Sequence, residues 1–187
     1  MRIVGGAQRG LRLAEVGAGD EAARLRPTAD RVREALFGLL EGGRFGDPVT
    51  GARVLDLFAG TGALALEALS RGAAAAVLVD DGRVAARLIR ENLRLARREG
   101  QARHLALDAT RLPLNGEAPF TLAFLDPPYG RGLGAPALRS ALAGGWLAPS
   151  ALVAWEEAGP VPPLAGTSLL DRRRYGGTTV TLLGVEG

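Results

Sequence analysis

Four short apolar segments spread through the middle of the chain most restrict what it can fold into. They are RVLDLFAG, AAAVLVDD, HLALD and TLAFLD, at residues 53–60, 74–81, 104–108 and 121–126. Helical segments follow the first, second and fourth of them, and glycines at positions 72 and 100 are typical helix stops. Continuously apolar strands joined by helices indicate a parallel sheet covered on both faces. The pattern therefore predicts an α/β fold.

The two ends of the chain add to this core. SLLDRRRY and TTVTLLGV flank Gly176 and Gly177, which predicts an antiparallel hairpin that completes the sheet. At the other end, RIVGG and GLRLAEV bracket a glycine turn, and RPTADRVREALF predicts a helix after Pro27. We therefore divide the chain into a hairpin and helix extension, residues 1–50, and a main domain, residues 51–187.

Composition excludes several classes of protein. The 187 residues, 47% of them hydrophobic, fit one domain, and no stretch of about 18 apolar residues predicts a membrane span. MRIVGGAQRG lacks the apolar segment of a secretory signal, so we expect a cytoplasmic protein. The absence of cysteine excludes disulfides and thiolate chemistry. The single histidine, His104, cannot form a metal cluster alone, so we expect no metal and a structural His104.

All 23 basic residues are arginine, and their positions say more than the net charge of +3. Arginine suits phosphates and bases, although a coding bias explains the composition equally well. The first twelve residues carry no acid, so Arg9 and Arg12 are candidate contacts for a nucleic acid, as are Arg172 and Arg173 in a second run. Five further arginines recur at helical spacing, a pattern usual for a merely solvated face: Arg83, Arg87, Arg90, Arg94 and Arg97.

The segment DLFAGTGALALE carries the first chemical motif. Gly60 and Gly62 lie where a strand turns into a helix, so the backbone can approach a ligand closely. Together with Ala65 they also satisfy a dinucleotide fingerprint, and a bare tight turn or a nicotinamide cofactor would explain them alone. Asp56, inside the strand, alters this balance, because a carboxylate repels phosphate and attracts a cation. The combination favours S-adenosylmethionine, a nucleoside with a sulfonium and an ammonium group.

Three acids at successive strand ends support the same cofactor. Asp80 can accept both ribose hydroxyls, Asp56 can lie near the amino-acid end, and Asp108 can reach the adenine amine. Any one of them taken singly would be a helix cap or a solvated residue. Ligands of parallel sheets bind beyond the carboxyl ends of the strands. The three acids therefore predict a cofactor crevice at this edge of the sheet.

The segment FLDPPYG ends the fourth strand on an acid, which is costly to bury without a partner. Pro127 and Pro128 stop the strand and hold its end rigid. The Asp126 carboxylate and the Pro127 carbonyl can then accept hydrogen bonds from one exocyclic amine, while Tyr129 offers a surface on which a base can stack. These four residues are the predicted catalytic set, for methyl transfer to the amine of a nucleobase.

DLFAGTGALALEALSRGA followed by DPPYG resembles the class I S-adenosylmethionine-dependent amino-methyltransferases. With RIVGGAQRGLRL and RPTADRVREALF, the chain is identified as a member of the RsmD-type 16S ribosomal RNA guanine-N2 methyltransferases. The resemblance implies a seven-stranded Rossmann-like sheet and transfer of one methyl group to a guanine N2 amine. It also implies 16S rRNA within a 30S subunit as the partner, and we expect the enzyme to be a monomer.

Residues carried over by this resemblance extend the predicted site. The cofactor set becomes Asp56, Phe58, Gly60, Gly62, Asp80, Asp108 and Thr28. The N-terminal signature of this family, matched here by Arg26, Pro27, Thr28 and residues 31–33, adjoins the pocket, and from it we add Arg26 to the predicted RNA contacts. Gly82 departs from the pattern, because relatives often carry a charged residue there, so no contact is assigned to it.

Two alternative functions remain open. DNA adenine-N6 methyltransferases share the order of motifs, but they need a target-recognition region for which this chain has no room. A non-catalytic RNA-binding assembly factor would keep the sheet, but an intact glycine loop and Asp126 argue against it. Binding without turnover would favour this second alternative.

Overall fold

The computed structural model describes residues 1–15 and 30–187. Its main elements, in chain order, are α1 (Asp30–Glu41), β1 (Arg53–Leu57), α2 (Ala63–Ser70), β2 (Ala75–Val79), α3 (Arg83–Leu95), β3 (Ala102–Leu105), β4 (Phe120–Leu125), α4 (Gly134–Ala143), β5 (Leu147–Glu157), β6 (Thr167–Tyr175) and β7 (Thr178–Val185). The third strand ends at Leu105, three residues before its predicted end. In the described ranges, no helix is long and apolar enough to span a membrane.

The seven strands form one sheet in the order β3-β2-β1-β4-β5-β7-β6. The first five strands along the chain are parallel, whereas β7 runs antiparallel to both of its neighbours, β5 and β6. The predicted mainly parallel sheet with an antiparallel C-terminal hairpin is confirmed. The chain reverses its direction of winding between β1 and β4, and ligands of such sheets bind beyond the strand ends at this point.

Side chains that alternate along the strands divide the core into two layers. Val54 and Phe124 pack with α1, α2 and α3 on one face, and Leu55 and Leu125 pack with α4 on the other. Because both faces are covered, the central strands are apolar throughout, as the sequence predicted. One polar exception on the first face is Asp56, which is buried within β1.

The N-terminal hairpin packs against this core. Arg2 and Arg12 pair across it, and Ile3 and Leu13 are buried in the cluster that also contains the apolar side of α1. The hairpin lies alongside α3, where the amide N–H of Ala14 donates to Asn92 Oδ1 at 2.7 Å. The extension therefore shares a core with the sheet, and the boundary at residue 50 stays a prediction.

A buried ionic network ties the hairpin to α1 and α2. Glu67 and Arg33 are both fully buried, with 3.9 Å between Glu67 Oε2 and Arg33 Nε. Glu67 also accepts from the Val4 amide at 2.9 Å and from Arg71 Nε at 2.8 Å. In this network the charge of each partner offsets the cost of burying another. The network joins three segments that are distant in sequence: the hairpin, α1 and α2, the helix that follows the glycine loop.

Removing one member of this network should be costly. We expect Glu67→Ala to lower the free energy of unfolding by about 3–5 kcal/mol, because it removes the fully buried acid of the network and leaves the fully buried Arg33 with the part-exposed Asp30 as counter-ion. Urea denaturation measures the difference. Glu117→Ala is the matched control, since it breaks partly exposed pairs with Arg53 and Arg103 and should cost less than about 1 kcal/mol. Equal losses for the two variants would contradict the assignment.

Candidate functional site

A cleft of about 1680 Å³ lies at the carboxyl ends of the strands. Residues that follow β1, β2, β3 and β4 line it, together with the end of β5 and the start of β7. Pockets for one drug-sized ligand typically measure about 300–1,000 Å³. The cleft is therefore large enough for a cofactor and part of a second molecule.

The predicted glycine loop forms one wall of the cleft. Phe58, Gly60 and Gly62 have φ angles of 61°, 57° and 78°, so the chain leaves β1 through left-handed conformations and enters α2 directly. Such a conformation is strained for Phe58, the one non-glycine of the three. At Gly62 a Cβ would also lie 2.8 Å from Leu78 Cδ2. A side chain at position 62 would therefore disturb both the turn and its packing on β2.

Asp80 holds this loop in place. Its Oδ2 accepts from the Gly60 amide and its Oδ1 from the Gly82 amide, both at 2.9 Å. His104 Nε2 lies 2.9 Å from the Asp80 carbonyl oxygen, which agrees with a structural role for that histidine. Burial raises the pKa of Asp80 despite these two bonds. Because each carboxylate oxygen has a second lone pair, Asp80 can still accept a ligand hydroxyl.

Asp56 is the most deeply buried acid of the cleft, with 1% of its surface exposed. Its Oδ2 accepts from the Ala65 amide at 3.1 Å, whereas its Oδ1 has no hydrogen-bond partner among the residues that the structure describes. Burial raises the pKa of Asp56 to about 7. A buried carboxylate oxygen without a partner is costly, and a cationic ligand in the cleft would compensate it.

The raised pKa of Asp56 predicts a pH dependence of stability. Between its ordinary pKa of 3.8 and about 7, the folded protein holds a proton that the unfolded chain releases, so this contribution to stability falls as the pH rises. Asp56→Asn removes the titration. We expect the melting temperature of the wild type to decline from pH 5 to pH 8 more steeply than that of the variant. If the melting temperatures of the two proteins change with pH in parallel, the raised pKa of Asp56 is wrong.

Asp108 lies three residues beyond the end of β3 and caps a single 3₁₀ turn. Its Oδ1 accepts from the Thr110 amide at 2.8 Å and from the Thr110 hydroxyl at 2.7 Å. These bonds lower the pKa of Asp108, which remains exposed at the edge of the cleft. The residue thus lines the cleft and acts as a cap at the same time.

The DPPY segment lies on the cleft directly after β4. Asp126, Pro127, Pro128 and Tyr129 all line it, and the Asp126 amide donates to the Leu57 carbonyl of β1 at 3.4 Å. Gly130 follows with a φ of 71°, which turns the chain away from the sheet. The motif is therefore held between the ends of two central strands, facing the same space as Asp56 and Asp80.

Two residues that the sequence did not point to hold Tyr129 in place. The Tyr129 hydroxyl donates to Glu156 Oε1 at 2.8 Å and lies 3.0 Å from Thr178 Oγ1. Glu156 is buried at the end of β5 and Thr178 begins β7, and both line the cleft. Burial, and then the nearby acids Glu156 and Asp126, raise the pKa of Tyr129. The phenol therefore stays protonated as a hydrogen-bond donor.

The predicted residues fall into three groups in the structure. The cleft brings together Asp56, Phe58, Gly60, Asp80, Asp108 and the four residues of DPPY, with Gly62 directly behind its wall. Arg9, Arg12, Arg172 and Arg173 do not line it. Arg26 and Thr28, together with Pro27, lie outside the described residues. Within those residues, no group of three or more acids and histidines could hold a metal ion.

Glu156 lies outside the predicted site, although the sequence carries a signal for it. ALVAWEE is an apolar strand that closes on an acid, the same pattern that drew attention to Asp126. No sequence signal identifies Thr178, because its contact with Tyr129 depends on the pairing of β7 with β5. Arg33, which lies in the N-terminal signature, is buried in the ionic network and does not line the cleft, whereas its neighbour Val32 does.

Comparison with known proteins gives a consistent set of matches. The family model described as Conserved hypothetical protein 95 matches residues 1–184. Ribosomal RNA small subunit methyltransferase D of Escherichia coli strain K12 is 39% identical over 153 residues, which cover 82% of this chain and 72% of that protein. The protein of the same name from Haemophilus influenzae is 32% identical over 157 residues, covering 82% and 76% of the two chains.

A solved structure shares the whole architecture. The protein described as "Putative methyltransferase yhhF" from Escherichia coli superposes with a TM-score of 0.81 at 35% identity. The match covers 100% of this chain and 98% of that one. The hairpin extension and the sheet are therefore both included in the similarity.

Proposed function

We propose that this chain, which belongs to the Conserved hypothetical protein 95 family of RsmD-type methyltransferases, methylates the N2 amine of a guanine in 16S rRNA. The observation that supports this proposal most is that acids suited to two different ligands line the same cleft. Asp56 and Asp80 surround the glycine loop, and Asp126 faces the same space from the next strand, β4. Asp56 and Asp80 suit a cationic nucleoside, and Asp126 suits an amine.

S-adenosylmethionine supplies a methyl group made electrophilic by its sulfonium. Asp56, with its buried unpartnered oxygen, attracts the positive charge of this cofactor, and Asp80 accepts from ribose hydroxyls. A phosphate-bearing dinucleotide fits poorly, because Asp80 already occupies the Gly60 amide and Asp56 the Ala65 amide at the start of α2. These amides would otherwise bind phosphate.

Asp126 and Pro127 orient the target amine. An aromatic amine is a weak nucleophile, because its lone pair is delocalised into the ring. The Asp126 carboxylate and the Pro127 carbonyl accept its two hydrogens, which turns the lone pair toward the cofactor end of the cleft. The carboxylate also stabilises the positive charge that develops on the nitrogen. Tyr129 gives the extruded base a surface for stacking, and the two prolines keep the acceptors at a fixed separation.

The substrate RNA lies, in this proposal, across the side formed by the N-terminal hairpin and α3. The exposed face of α3 carries Arg83, Arg87, Arg90 and Arg94, and Arg97 is exposed just after the end of the helix. The hairpin packs beside this face, where Arg98 Nε donates to Gln8 Oε1 at 3.0 Å. Among residues 1–15 and 30–187, no acid pairs with Arg9, Arg12, Arg83, Arg94 or Arg97. Exposed guanidinium groups without acid partners suit a run of phosphates.

Arg172 and Arg173 remain a second proposed contact, at the opposite edge of the sheet. Both belong to β6, which is separated from the α3 side by the full width of the sheet. Arg173 Nε pairs with Asp171 at 3.0 Å, and Arg172 donates to the Val161 carbonyl. Because these groups already have partners, we expect them to contribute less than Arg9 and Arg12.

Charge reversal at the hairpin tests the RNA surface. We expect Arg9→Glu with Arg12→Glu to raise KM for 30S subunits about tenfold or more and to reduce its salt dependence, because phosphate contacts are lost. Arg139→Glu is the control, since Arg139 is exposed on α4, on the opposite face of the sheet. Affinity for S-adenosylmethionine should not change in either protein. Unchanged methylation by the double variant would exclude the hairpin surface.

The function itself is tested with S-adenosylmethionine carrying a labelled methyl group. We expect label in 16S rRNA when the protein is incubated with 30S subunits purified from cells that lack it. Genomic DNA serves as the competing substrate. Label in DNA adenine would favour the DNA methyltransferase, and tight binding to 30S subunits without transfer would favour an assembly factor.

A further inference from the structure

We infer that Glu156 selects the target base, by accepting from the ring N1–H of guanine while Asp126 accepts from its N2 amine. The inference rests on the proposed function and concerns which base can enter the cleft. It assigns a specificity role to a residue outside the DPPY motif.

The register of the sheet places the two acids side by side. Leu125 of β4 pairs with Trp155 of β5 in a parallel ladder, and Asp126 and Glu156 are the next residues along. Neighbouring strands lie about 4.8 Å apart, and paired positions point to the same face. Both acids line the cleft, and both act electrostatically on the Tyr129 hydroxyl. The target end of the cleft is therefore lined by two adjacent carboxyl groups.

Glu156 is held as an acceptor by its surroundings. The single hydrogen of the Tyr129 hydroxyl is donated to Glu156 Oε1, so Thr178 must donate to the phenol oxygen at 3.0 Å. This chain of bonds joins β5, β7 and the DPPY segment. A carboxylate has about four lone-pair positions on its two oxygens, so Glu156 can accept more than one hydrogen bond at the same time.

Two adjacent acceptors match one nucleobase edge. Guanine presents the N2 amine and the N1–H next to each other, and both are donors. Adenine and cytosine each present an amine next to a ring nitrogen whose lone pair accepts. With its amine on Asp126, either of these bases would direct that lone pair at the Glu156 carboxylate. A site built to receive a donor strongly disfavours an analogue that lacks it.

The wild-type protein with an altered substrate gives the first test. 2-Aminopurine keeps the N2 amine of guanine but has an acceptor at N1. We expect 30S subunits reconstituted with 2-aminopurine at the mapped target position to be methylated with a kcat/KM at least about 30-fold lower than guanine subunits. Comparable values for the two bases would overturn the inference, and this result depends on no variant.

Glu156→Gln gives the second test, because its amide can donate where the carboxylate only accepts. We expect the variant to lose activity on guanine and to shift the guanine to 2-aminopurine ratio at least about tenfold toward 2-aminopurine. Tyr129→Phe is the matched control. It removes the hydroxyl that bonds to Glu156 but leaves the carboxylate, which can still only accept, so it should lower kcat and keep the preference for guanine. If Glu156→Gln does not change the ratio of guanine to 2-aminopurine activity, Glu156 only supports Tyr129 and does not select the base.

Failure of the proposed function and failure of the inference about Glu156 give different results. If the wild type methylates no guanine of the 30S subunit, the proposed function fails. If it methylates guanine but does not discriminate against 2-aminopurine, only the role of Glu156 fails. Calorimetry with S-adenosylmethionine reports whether each variant retains a folded cofactor site.

Discussion

Asp126→Ala should reduce methyl transfer about 100- to 1,000-fold while it changes S-adenosylmethionine affinity less than about threefold. The carboxylate is proposed to orient the amine and to stabilise its developing charge, and losing such a group typically costs about 10²–10³-fold in rate. Asp56 and Asp80, the proposed cofactor acids, belong to other parts of the sheet, within β1 and directly after β2. Turnover assays and calorimetry measure the two effects separately.

Two further variants make this result specific. Asp126→Asn keeps one acceptor oxygen but not the charge, so we expect an intermediate rate. Asp108→Ala removes a different acid from the edge of the same cleft and should leave the turnover rate at saturating cofactor nearly unchanged. Near-wild-type turnover by Asp126→Ala would remove that residue from the mechanism. Equal losses in all three proteins would indicate a general effect on the cleft.

The second large effect is expected at the other end of the cleft. Asp80→Ala should weaken S-adenosylmethionine binding about 100-fold, because one change removes the proposed ribose acceptor, the bond that holds the glycine loop at Gly60 and the bond to the Gly82 amide before α3. Losing hydrogen bonds to a charged group costs about 1.5–3 kcal/mol each, which is enough for this change. Isothermal titration calorimetry measures the affinity directly.

The next residue is a matched control for Asp80. Asp81 carries the same charge one position further, but it is exposed. We expect Asp81→Ala to change cofactor affinity less than about threefold. If the two alanine variants weaken binding equally, a general loss of negative charge explains the effect, and the specific contact of Asp80 is wrong.

The fold could be predicted because its strands are buried on both faces. Each central strand is a nearly unbroken apolar segment, and the strand end is marked by the acid or glycine that follows. The third strand was placed less well. HLALD has the same appearance, but pairing with β2 covers only Ala102–Leu105, so Asp108 lies on a 3₁₀ turn and not at a strand end.

The geometry of the candidate site could be predicted only where it depends on one short segment of the chain. DLFAGTG and DPPY each contain their own turn, so the local sequence fixes their shape. The bond from Tyr129 to Glu156 spans 27 residues and that to Thr178 spans 49, and both depend on how β4, β5 and β7 pair. The contact of Glu67 with Val4 spans 63 residues. Such contacts are a product of the tertiary fold.

The arginines illustrate the same limit. Spacing along α3 predicted an exposed face, and the structure has that face exposed. It could not distinguish arginines with acid partners from arginines without them, because pairs such as Arg44 with Asp171 join residues 127 apart. The hypothesis of an RNA surface beside the hairpin therefore rests on the fold as well as on composition.

The most direct measurement of the central claim is a crystal structure of the protein with S-adenosylhomocysteine and an RNA fragment that contains the target guanine. We predict that the guanine N2 atom lies about 2.6–3.2 Å from an Asp126 carboxylate oxygen, with the cofactor over Asp56 and Asp80. An Asp126 side chain turned away from the cleft, or a guanine that binds outside it, would contradict the account.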